Sequence, residues 1–231
     1  MSYPALQPAL QRGSRGRGGP WIVPALMLAL LGAALLLPHD ALAAVGELTV
    51  LKGQATVFRG TREITVRRRI VLEADDRVRT APESKVHLRF HAPLQGSDAI
   101  ATTETEFQVR ELTRRGKTHP VRLVWGAIRS RLAAFPRRTA FMQTGTAVIG
   151  IKGTDFIVYV KRQNASEFIG VDGLIEAVSR SQPDYSIQIG TRQWGEIVEG
   201  EKPKPPIHVP DELWFPALQE FSFPGETPPT R

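Results

Sequence analysis

Two histidines in an H-x3-H spacing are the first side chains that could support chemistry. On a helix, this spacing of His87 and His91 would present both imidazoles to one zinc ion. Polar and apolar residues alternate here, however, which predicts a strand with both histidines on its solvent face beside Lys85 and Arg89. These cationic neighbours would repel a divalent cation. We therefore predict no metal and no cofactor for this chain.

A cluster of three carboxylates, Glu73, Asp75 and Asp76, is the second candidate. Paired carboxylates can hydrolyse glycosides or bind calcium. The D-x-[DN]-x-[DN]-G pattern of a calcium loop is absent from the sequence, and Arg77 and Arg79 interleave with the carboxylates. We predict that the cluster stabilises a turn.

Other signatures of catalysis are weak or missing in the sequence. Gly145–Lys152 is close to a phosphate-binding loop, but Ile151 separates the second glycine from the lysine, and a strand is predicted to follow where a helix is needed. The sequence has no cysteine and no G-x-S-x-G nucleophile elbow. The prediction is a protein that is not an enzyme.

The N-terminal segment predicts export. Trp21–Leu37 is an uncharged apolar run that follows three arginines and precedes the small-residue exit Ala41-Leu42-Ala43. Residues 1–43 are therefore predicted to be a signal peptide. The alternative is an anchor in the inner membrane formed by residues 21–37, which is short for a bilayer span. Both predict that the remainder is periplasmic or secreted.

The composition of the 231 residues predicts a folded domain. Apolar residues make up 42% of the chain, which suffices for a large core. The net charge of +7 arises from 30 Lys and Arg against 23 Asp and Glu. This modest excess indicates attraction to anionic surfaces rather than nucleic-acid binding.

Residues 45–180 show short alternating segments separated by glycine-containing turns, which predicts one mainly-β domain. Val86, Leu88 and Phe90 alternate with polar residues, as in a strand with one wet face. Asp155–Val160 is apolar on both faces and should be central. We predict many short antiparallel strands forming a β-sandwich or a twisted, β-solenoid-like domain.

Residues 181–231 are rich in proline and predict a different structure. Ser186–Gly190 and Gln193–Val198 could form a last hairpin. The chain after Gly200 is predicted to be extended, because proline cannot donate to a sheet. Four aromatic residues could dock this tail onto the domain or form a binding segment: Trp214, Phe215, Phe221 and Phe223.

Thr146–Val178 resembles the signature region of FecR-type domains, with Gly153-Thr154-Asp155-Phe156 as its core. Two upstream features also resemble this family, and with them the resemblance covers about residues 46–180. They are the acidic-to-threonine step from Asp76 to Thr80 and the strand that contains Gly126.

We interpret the motif residues as structural. Gly153 can accommodate a bulge, and Thr154 and Asp155 can bond to nearby backbone groups. Phe156 would then enter the interior.

The resemblance implies a regulatory or sensory role. The best-known FecR proteins regulate sigma factors and combine a cytoplasmic anti-sigma region, one transmembrane helix and a periplasmic part that contacts an outer-membrane transporter. Here 20 residues precede the apolar run, without a helical pattern. The chain therefore resembles the stand-alone exported FecR-domain proteins.

The predicted function is an exported, non-enzymatic interaction or sensory module that binds a cell-envelope protein or an anionic envelope polymer. The candidate interaction surface consists of four basic residues, Arg114, Arg115, Arg129 and Arg131. Two alternatives remain: a membrane-tethered periplasmic signal receiver linked to a transporter or sigma-factor pathway, and an envelope hydrolase.

Overall fold

The structure is a computed structural model that describes residues 44–110, 118–133, 140–151 and 154–229. These residues belong to a compact unit that extends from Leu42 to Arg231. They form 17 strands and one helix. The predicted signal peptide lies outside the described residues, as do Gly153, Arg114 and Arg115.

In chain order the strands are β1 (Ala44–Lys52), β2 (Ala55–Arg59), β3 (Arg62–Val66), β4 (Arg69–Glu73), β5 (Arg77–Thr80), β6 (Lys85–Phe90), β7 (Asp98–Ala101), β8 (Glu106–Val109), β9 (Thr118–Arg131), β10 (Ala140–Gln143), β11 (Ala147–Ile151), β12 (Asp155–Arg162), β13 (Ala165–Asp172), β14 (Ile175–Ser179), β15 (Ser186–Ile189), β16 (Gln193–Val198) and β17 (Ile207–His208). The helix α1 covers Asp211–Glu220.

The chain alternates between two groups of strands. Sheet A has the order β4-β1-β6-β7-β9-β12-β13-β16-β17. Sheet B has the order β3-β2-β5-β8-β9-β10-β11-β14-β15. The long strand β9 pairs in sheet B through its first half and in sheet A through its second half, so all 17 strands form one hydrogen-bonded network.

These pairings are antiparallel, with the exception of β9 with β10. The prediction of a mainly-β fold with many short, mostly antiparallel strands is confirmed.

The main core lies between the two sheets. Its members include Leu48 and Phe156 from sheet A and Val57 and Phe107 from sheet B, each with no more than a trace of exposed surface. Large apolar side chains that alternate with polar ones along a strand produce this arrangement, because successive side chains point to opposite faces. The strand that contains Asp155–Val160 lies between β9 and β13, as its apolar sequence predicts.

The prediction for the C-terminal region was partly wrong. The segments at 186–189 and 193–198 are strands, but they do not pair as a hairpin. β15 pairs with β14 in sheet B, and β16 pairs with β13 in sheet A. The link between them passes from one sheet to the other, as the chain does throughout the fold.

The region after Gly200 is not wholly extended. β17 pairs with β16, and α1 follows with Pro216 in its interior. Proline removes a helical hydrogen bond, but Asp211 and Glu212 favour the helix by placing negative charge in its first turn. Packing of one helix face against sheet A supplies further stabilisation. Within the described residues, no helix has the length and apolarity needed to span a bilayer.

Candidate functional site

The outer face of sheet A, which points away from the main core, carries the most unusual side chains. On β9, Ala127, Arg129 and Arg131 alternate with the core residue Ile128 and therefore share this face. In the register of the sheet, Ile157 of β12 lies opposite Arg129. The C-terminal region covers part of this face and divides it into three zones.

The central zone is apolar. Ile100, Ile157 and Ile169 of sheet A form a second core cluster with Trp214 and Leu218 of α1. Of the two alternatives for the tail aromatics, the structure shows docking, because Trp214, Phe221 and Phe223 are buried and Phe215 packs against the same cluster. This cluster fixes the position of the helix on the sheet.

On one side of the central zone lies a buried ionic cluster. The Arg129 guanidinium donates two hydrogen bonds to Asp155, from Nε to Oδ1 at 2.9 Å and from Nη2 to Oδ2 at 2.6 Å. It also donates to both carboxylate oxygens of Glu226, at 3.0 and 2.8 Å, and to the carbonyl oxygen of Phe221 at 3.3 Å. Only 2% of Arg129 is exposed. We call residues 221–226 together with their partners on sheet A the latch.

The ring of Phe223 completes the latch. The guanidinium carbon of Arg131 lies 4.1 Å from the ring centroid, and that of Arg129 lies 4.9 Å from it. His87 contacts the same ring edge to face, at 5.8 Å between centroids. Cations over an aromatic face are attracted by its quadrupole, and burial strengthens the attraction. Asp98 holds this arrangement in place through Oδ2, which lies 3.2 Å from His87 Nε2 and 3.2 Å from Arg131 Nη2.

The latch shifts the pKa values of several of its members. Burial disfavours ionised Glu226, but hydrogen bonds from Arg129 and from the Phe223 amide outweigh burial and lower the pKa of this carboxyl. Burial also lowers the pKa of Lys85, whose Nζ donates to Ser222 Oγ at 3.3 Å. Burial raises the pKa of Asp155, although hydrogen bonds from Arg129 oppose the rise.

The latch corrects two predictions. Arg129 was predicted to belong to an exposed interaction surface, but it is buried beneath the tail. His87 was predicted to face solvent, yet only 6% of it is exposed. In both cases the strand alternation identifies the correct face, and the tail then covers that face. Arg131 keeps 46% of its side chain exposed and pairs with Asp98.

Gly126 and Thr80 make contacts that stabilise the fold. Gly126 has φ +90°, and a Cβ at this position would lie 2.6 Å from the Cα of Thr105. Thr80 Oγ1 donates to the carbonyl oxygen of Thr102 at 2.5 Å and accepts from the amide of Thr105 at 2.7 Å. These contacts agree with the structural interpretation of the two residues.

Asp76 also acts locally. Its carboxylate accepts hydrogen bonds from the Arg59 guanidinium at 2.9 and 2.7 Å and from the Glu73 amide at 2.9 Å. Arg59 contacts Glu73 as well, so the acidic cluster surrounds an internal cation at a turn where Asp75 has φ 67°. In the described part of the chain, no group of three potential metal ligands is assembled.

The core of the FecR-like motif is only partly as predicted. Phe156 is fully buried between the sheets, as expected. Asp155 bonds to the Arg129 side chain, where backbone groups were predicted. Thr154 Oγ1 is buried without a hydrogen-bond partner among the described residues. The acidic position of the motif therefore holds the latch.

On the other side of the central zone, sheet A and α1 line an open groove of about 570 Å³. Three aromatic residues from three strands line it: Trp125 of β9, Tyr159 of β12 and Trp194 of β16. Leu213 and Pro216 of α1 form the opposite wall. Trp125 is 44% exposed and Leu213 is 62% exposed, so this groove retains accessible apolar surface.

Carboxylates dominate the charge of the groove. Among the described residues, Glu104, Glu167, Glu212 and Glu220 line it together with one cation, Lys161. Burial, assisted by the nearby charges of Glu220 and Glu167, raises the pKa of Tyr159 well above its ordinary value, so its hydroxyl remains protonated. The three aromatic residues of the groove therefore lie in a negative electrostatic potential.

Lys161 shows how the groove holds a cation. Its Nζ lies 4.7 Å from the centroid of the Tyr159 ring and 3.7 Å from Glu167 Oε2. Trp194 Nε1 donates to the same carboxylate oxygen at 3.4 Å. Glu167 is therefore held by two neighbours.

The groove continues into a smaller apolar hollow of about 250 Å³. Ile207 and Val209 line it together with Trp194 and Leu213, which also line the groove. Ile207 is 60% exposed. The combined surface could accommodate an extended ligand that has both a polar and an apolar part.

Sequence reasoning missed the groove. Trp125, Tyr159 and Trp194 are separated by more than 30 residues from one another, and no motif connects them. Their common feature is that β9, β12 and β16 bring them to one groove, with β9 and β12 as neighbours and β16 one strand further, beyond β13. That feature becomes readable only once the order and register of the strands are known.

No protein-family model and no curated protein sequence matches the chain. The chain is similar in structure to two crystal structures, at 2.50 and 1.65 Å resolution, each described as "a putative anti-sigma factor from Parabacteroides distasonis ATCC 8503". Both have 10% sequence identity to the chain and a TM-score of 0.47.

The match covers 58% of this chain and 59% of the 2.50 Å structure, and 62% of this chain and 73% of the 1.65 Å structure. A TM-score below 0.5 is too low to assign a shared function. The resemblance to FecR-type domains therefore depends on the sequence motifs.

Proposed function

We propose that this protein is an exported, non-catalytic interaction or sensory module that binds a protein of the cell envelope through the groove. The observation that carries the proposal is the exposure of Trp125 and Leu213 beside the zone in which the tail covers Ile100, Ile157 and Ile169. Export is proposed from the signal-peptide pattern, and a sensory role from the FecR-like motif.

The physical argument concerns the free energy of apolar exposure. Contiguous apolar surface that remains exposed on a folded chain marks a site of interaction. Tryptophan and tyrosine are the residues that contribute most to binding at such sites, because each buries a large area with few rotatable bonds. The groove combines two tryptophans and a tyrosine beside exposed aliphatic residues.

The described residues that line the groove lack the types that most often form or activate a nucleophile, although carboxylates are present. Hydrolysis needs an acid, a base or a nucleophile that is free to reach the substrate. Histidine, serine and cysteine are not among the described residues that line the groove. Lys161 and Trp194 already engage Glu167, so its carboxylate is positioned as part of the groove wall.

Site-specific photocrosslinking in the native host tests the proposal. A photoreactive phenylalanine analogue at Leu213 should crosslink to one discrete envelope protein. The matched control is the same analogue at Leu174, which is 53% exposed but does not line the groove. Crosslinks of equal yield from both positions, or no crosslink from Leu213, would contradict the proposal.

The mature N-terminus distinguishes an exported module from a tethered receiver. Cleavage of the predicted signal peptide would give a chain that starts at Ala44 or Val45. Mass spectrometry of the protein from the native host measures this directly. A chain that retains Trp21–Leu37 would support the membrane-tethered alternative.

A further inference from the structure

We propose that the ligand of the groove is an extended protein segment that carries a lysine or arginine next to an apolar side chain. This inference rests on the proposed function, since it names the chemistry of the partner. The cation would lie over Trp125 among the groove carboxylates, and the apolar side chain would enter the hollow beside Leu213.

Charge complementarity is the first argument. The chain as a whole is basic, with a net charge of +7. The groove reverses this sign locally, because four glutamates and one lysine line it. Opposite charges attract over about 10 Å at moderate ionic strength, so a cationic segment would be guided into the groove and an anionic one repelled.

The chain itself supplies the second argument. Lys161 already occupies the kind of site that is proposed, between an aromatic ring and a carboxylate. Trp125 offers a second aromatic surface in the same groove, where Glu104, Glu212 and Glu220 make no ion pair within the described residues. A ligand cation could therefore repeat beside Trp125 the contact that Lys161 makes with Tyr159.

The nearby Arg79 does not supply the cation that is proposed to lie over Trp125. Arg79 lines a neighbouring hollow that also touches Trp125. Its guanidinium is engaged by Glu106, with Nε and Nη2 donating to Oε2 at 2.9 and 2.6 Å. Its guanidinium is therefore directed at Glu106 outside the groove, a carboxylate that it shares with Arg77.

Other ligand classes use this surface less well. A neutral glycan could stack on the tryptophans, but the excess of carboxylates would gain no Coulomb energy from it. An anionic polymer would meet like charge. A peptide that carries both basic and apolar residues offers a cation to the acidic groove and an apolar side chain to the adjoining hollow.

Titration with synthetic probes tests the inference. The full chain without its leader is titrated with an acetylated Lys-Leu-Lys-Leu-Lys peptide, a Glu-Leu-Glu-Leu-Glu peptide and an N-acetylglucosamine trimer, with calorimetric detection. We expect the lysine peptide to bind at least about tenfold more tightly than the other probes. Its affinity should fall severalfold when ionic strength rises from about 0.02 to about 0.2 M.

Two triple variants locate the binding site. Changing Glu104, Glu212 and Glu220 to glutamine should weaken the lysine peptide about tenfold. The control changes three exposed glutamates outside the groove to glutamine: Glu63, Glu176 and Glu199. Both variants shift the net charge equally, so only a local effect separates them. Trp125→Ala should weaken binding severalfold.

Three results would overturn the inference: equal binding of the lysine and glutamate peptides, tighter binding of the glycan, or equal losses in the two triple variants. Failure of the lysine peptide to bind would also overturn it. None of these results would remove a discrete crosslink from Leu213, so the broader proposal of a groove-bound protein can survive failure of this one.

Discussion

The latch and the groove lie on the same face of the same sheet, but they differ in how their polar groups are paired. In the latch, Arg129 is surrounded by two carboxylates, a carbonyl oxygen and an aromatic ring, all supplied by the chain. In the groove, Trp125 and three glutamates remain open to solvent. The comparison separates a polar cluster that stabilises the fold from one that is available to a partner.

This difference leads to distinct expectations for mutation. Changes in the latch should lower the free energy of unfolding, because removing one member leaves buried charge without a partner. Changes in the groove should alter binding and leave stability nearly constant, because the side chains concerned are already hydrated.

The largest expected effect on stability is that of Arg129→Met. Loss of the guanidinium leaves Asp155 buried without its partner, and such losses cost about 3–5 kcal/mol. Urea-induced unfolding of the mature chain measures the effect. The matched control is Arg131→Met, whose more exposed pair should contribute less than about 1 kcal/mol. Equal losses in the two variants would contradict the special role of Arg129.

Gly126→Ala should have the next largest effect. The residue lines the groove, but it has φ +90° and lies against the Thr105 backbone. Strained backbone of this kind costs about 1–3 kcal/mol. Gly60→Ala is the control, since Gly60 has φ +57° and no atom lies within 4 Å of the position that a methyl group would take there. A larger loss of thermal stability for Gly126→Ala than for Gly60→Ala would show that the close contact with Thr105 matters. Equal losses would show that only the positive φ does.

Glu226→Gln should cost about 1–2 kcal/mol at neutral pH, because hydrogen bonds between charged groups are replaced by weaker ones and the carboxylate is partly exposed. The pKa of Glu226 is lowered in the folded chain. Its stabilisation is therefore fully present above the ordinary carboxyl pKa, about 4.3, and is lost as pH falls through the lowered value.

The difference in unfolding free energy between the wild-type chain and Glu226→Gln should accordingly shrink on acidification. Taking the difference cancels the contribution of Asp155 to first order, since both chains retain it. A difference that stays constant from pH 7 to pH 3 would show that Glu226 makes no ionic contribution to the latch.

Trp125→Ala should have the smallest effect on stability, about 1 kcal/mol, because 44% of the residue is already exposed. The same variant should abolish the crosslink from Leu213. Circular dichroism and urea unfolding establish the fold of the variant before binding is measured. A large loss of stability would place Trp125 with the structural residues and weaken the contrast between groove and latch.

The sequence was most informative where burial follows from the local pattern of one strand. Phe107 and Val109 are buried in β8, and Phe156 is buried in β12, as their alternation or apolar character indicates. Gly126 was identified through the resemblance of its strand to FecR-type domains, and its φ of +90° is a conformation that favours glycine. These features depend on short stretches of chain.

The sequence was least informative where a distant segment covers a strand face. Arg129 and Glu226 are 97 positions apart, and Lys85 and Ser222 are 137 positions apart. Alternation identifies the residues that share a face, but it does not indicate what covers that face. A charged residue on the outer face is therefore predicted to be exposed to solvent, although the tail buries Arg129.

Hydrogen exchange of residues 221–226, followed by mass spectrometry with and without the Lys-Leu-Lys-Leu-Lys peptide, tests the central claim most directly. The account predicts strong protection of this segment from exchange in the free chain, and the same protection when the peptide is bound. The reason is that the latch and the groove lie on opposite sides of the central zone. Exchange as fast as in an unfolded chain, or release of the segment when the peptide binds, would contradict it.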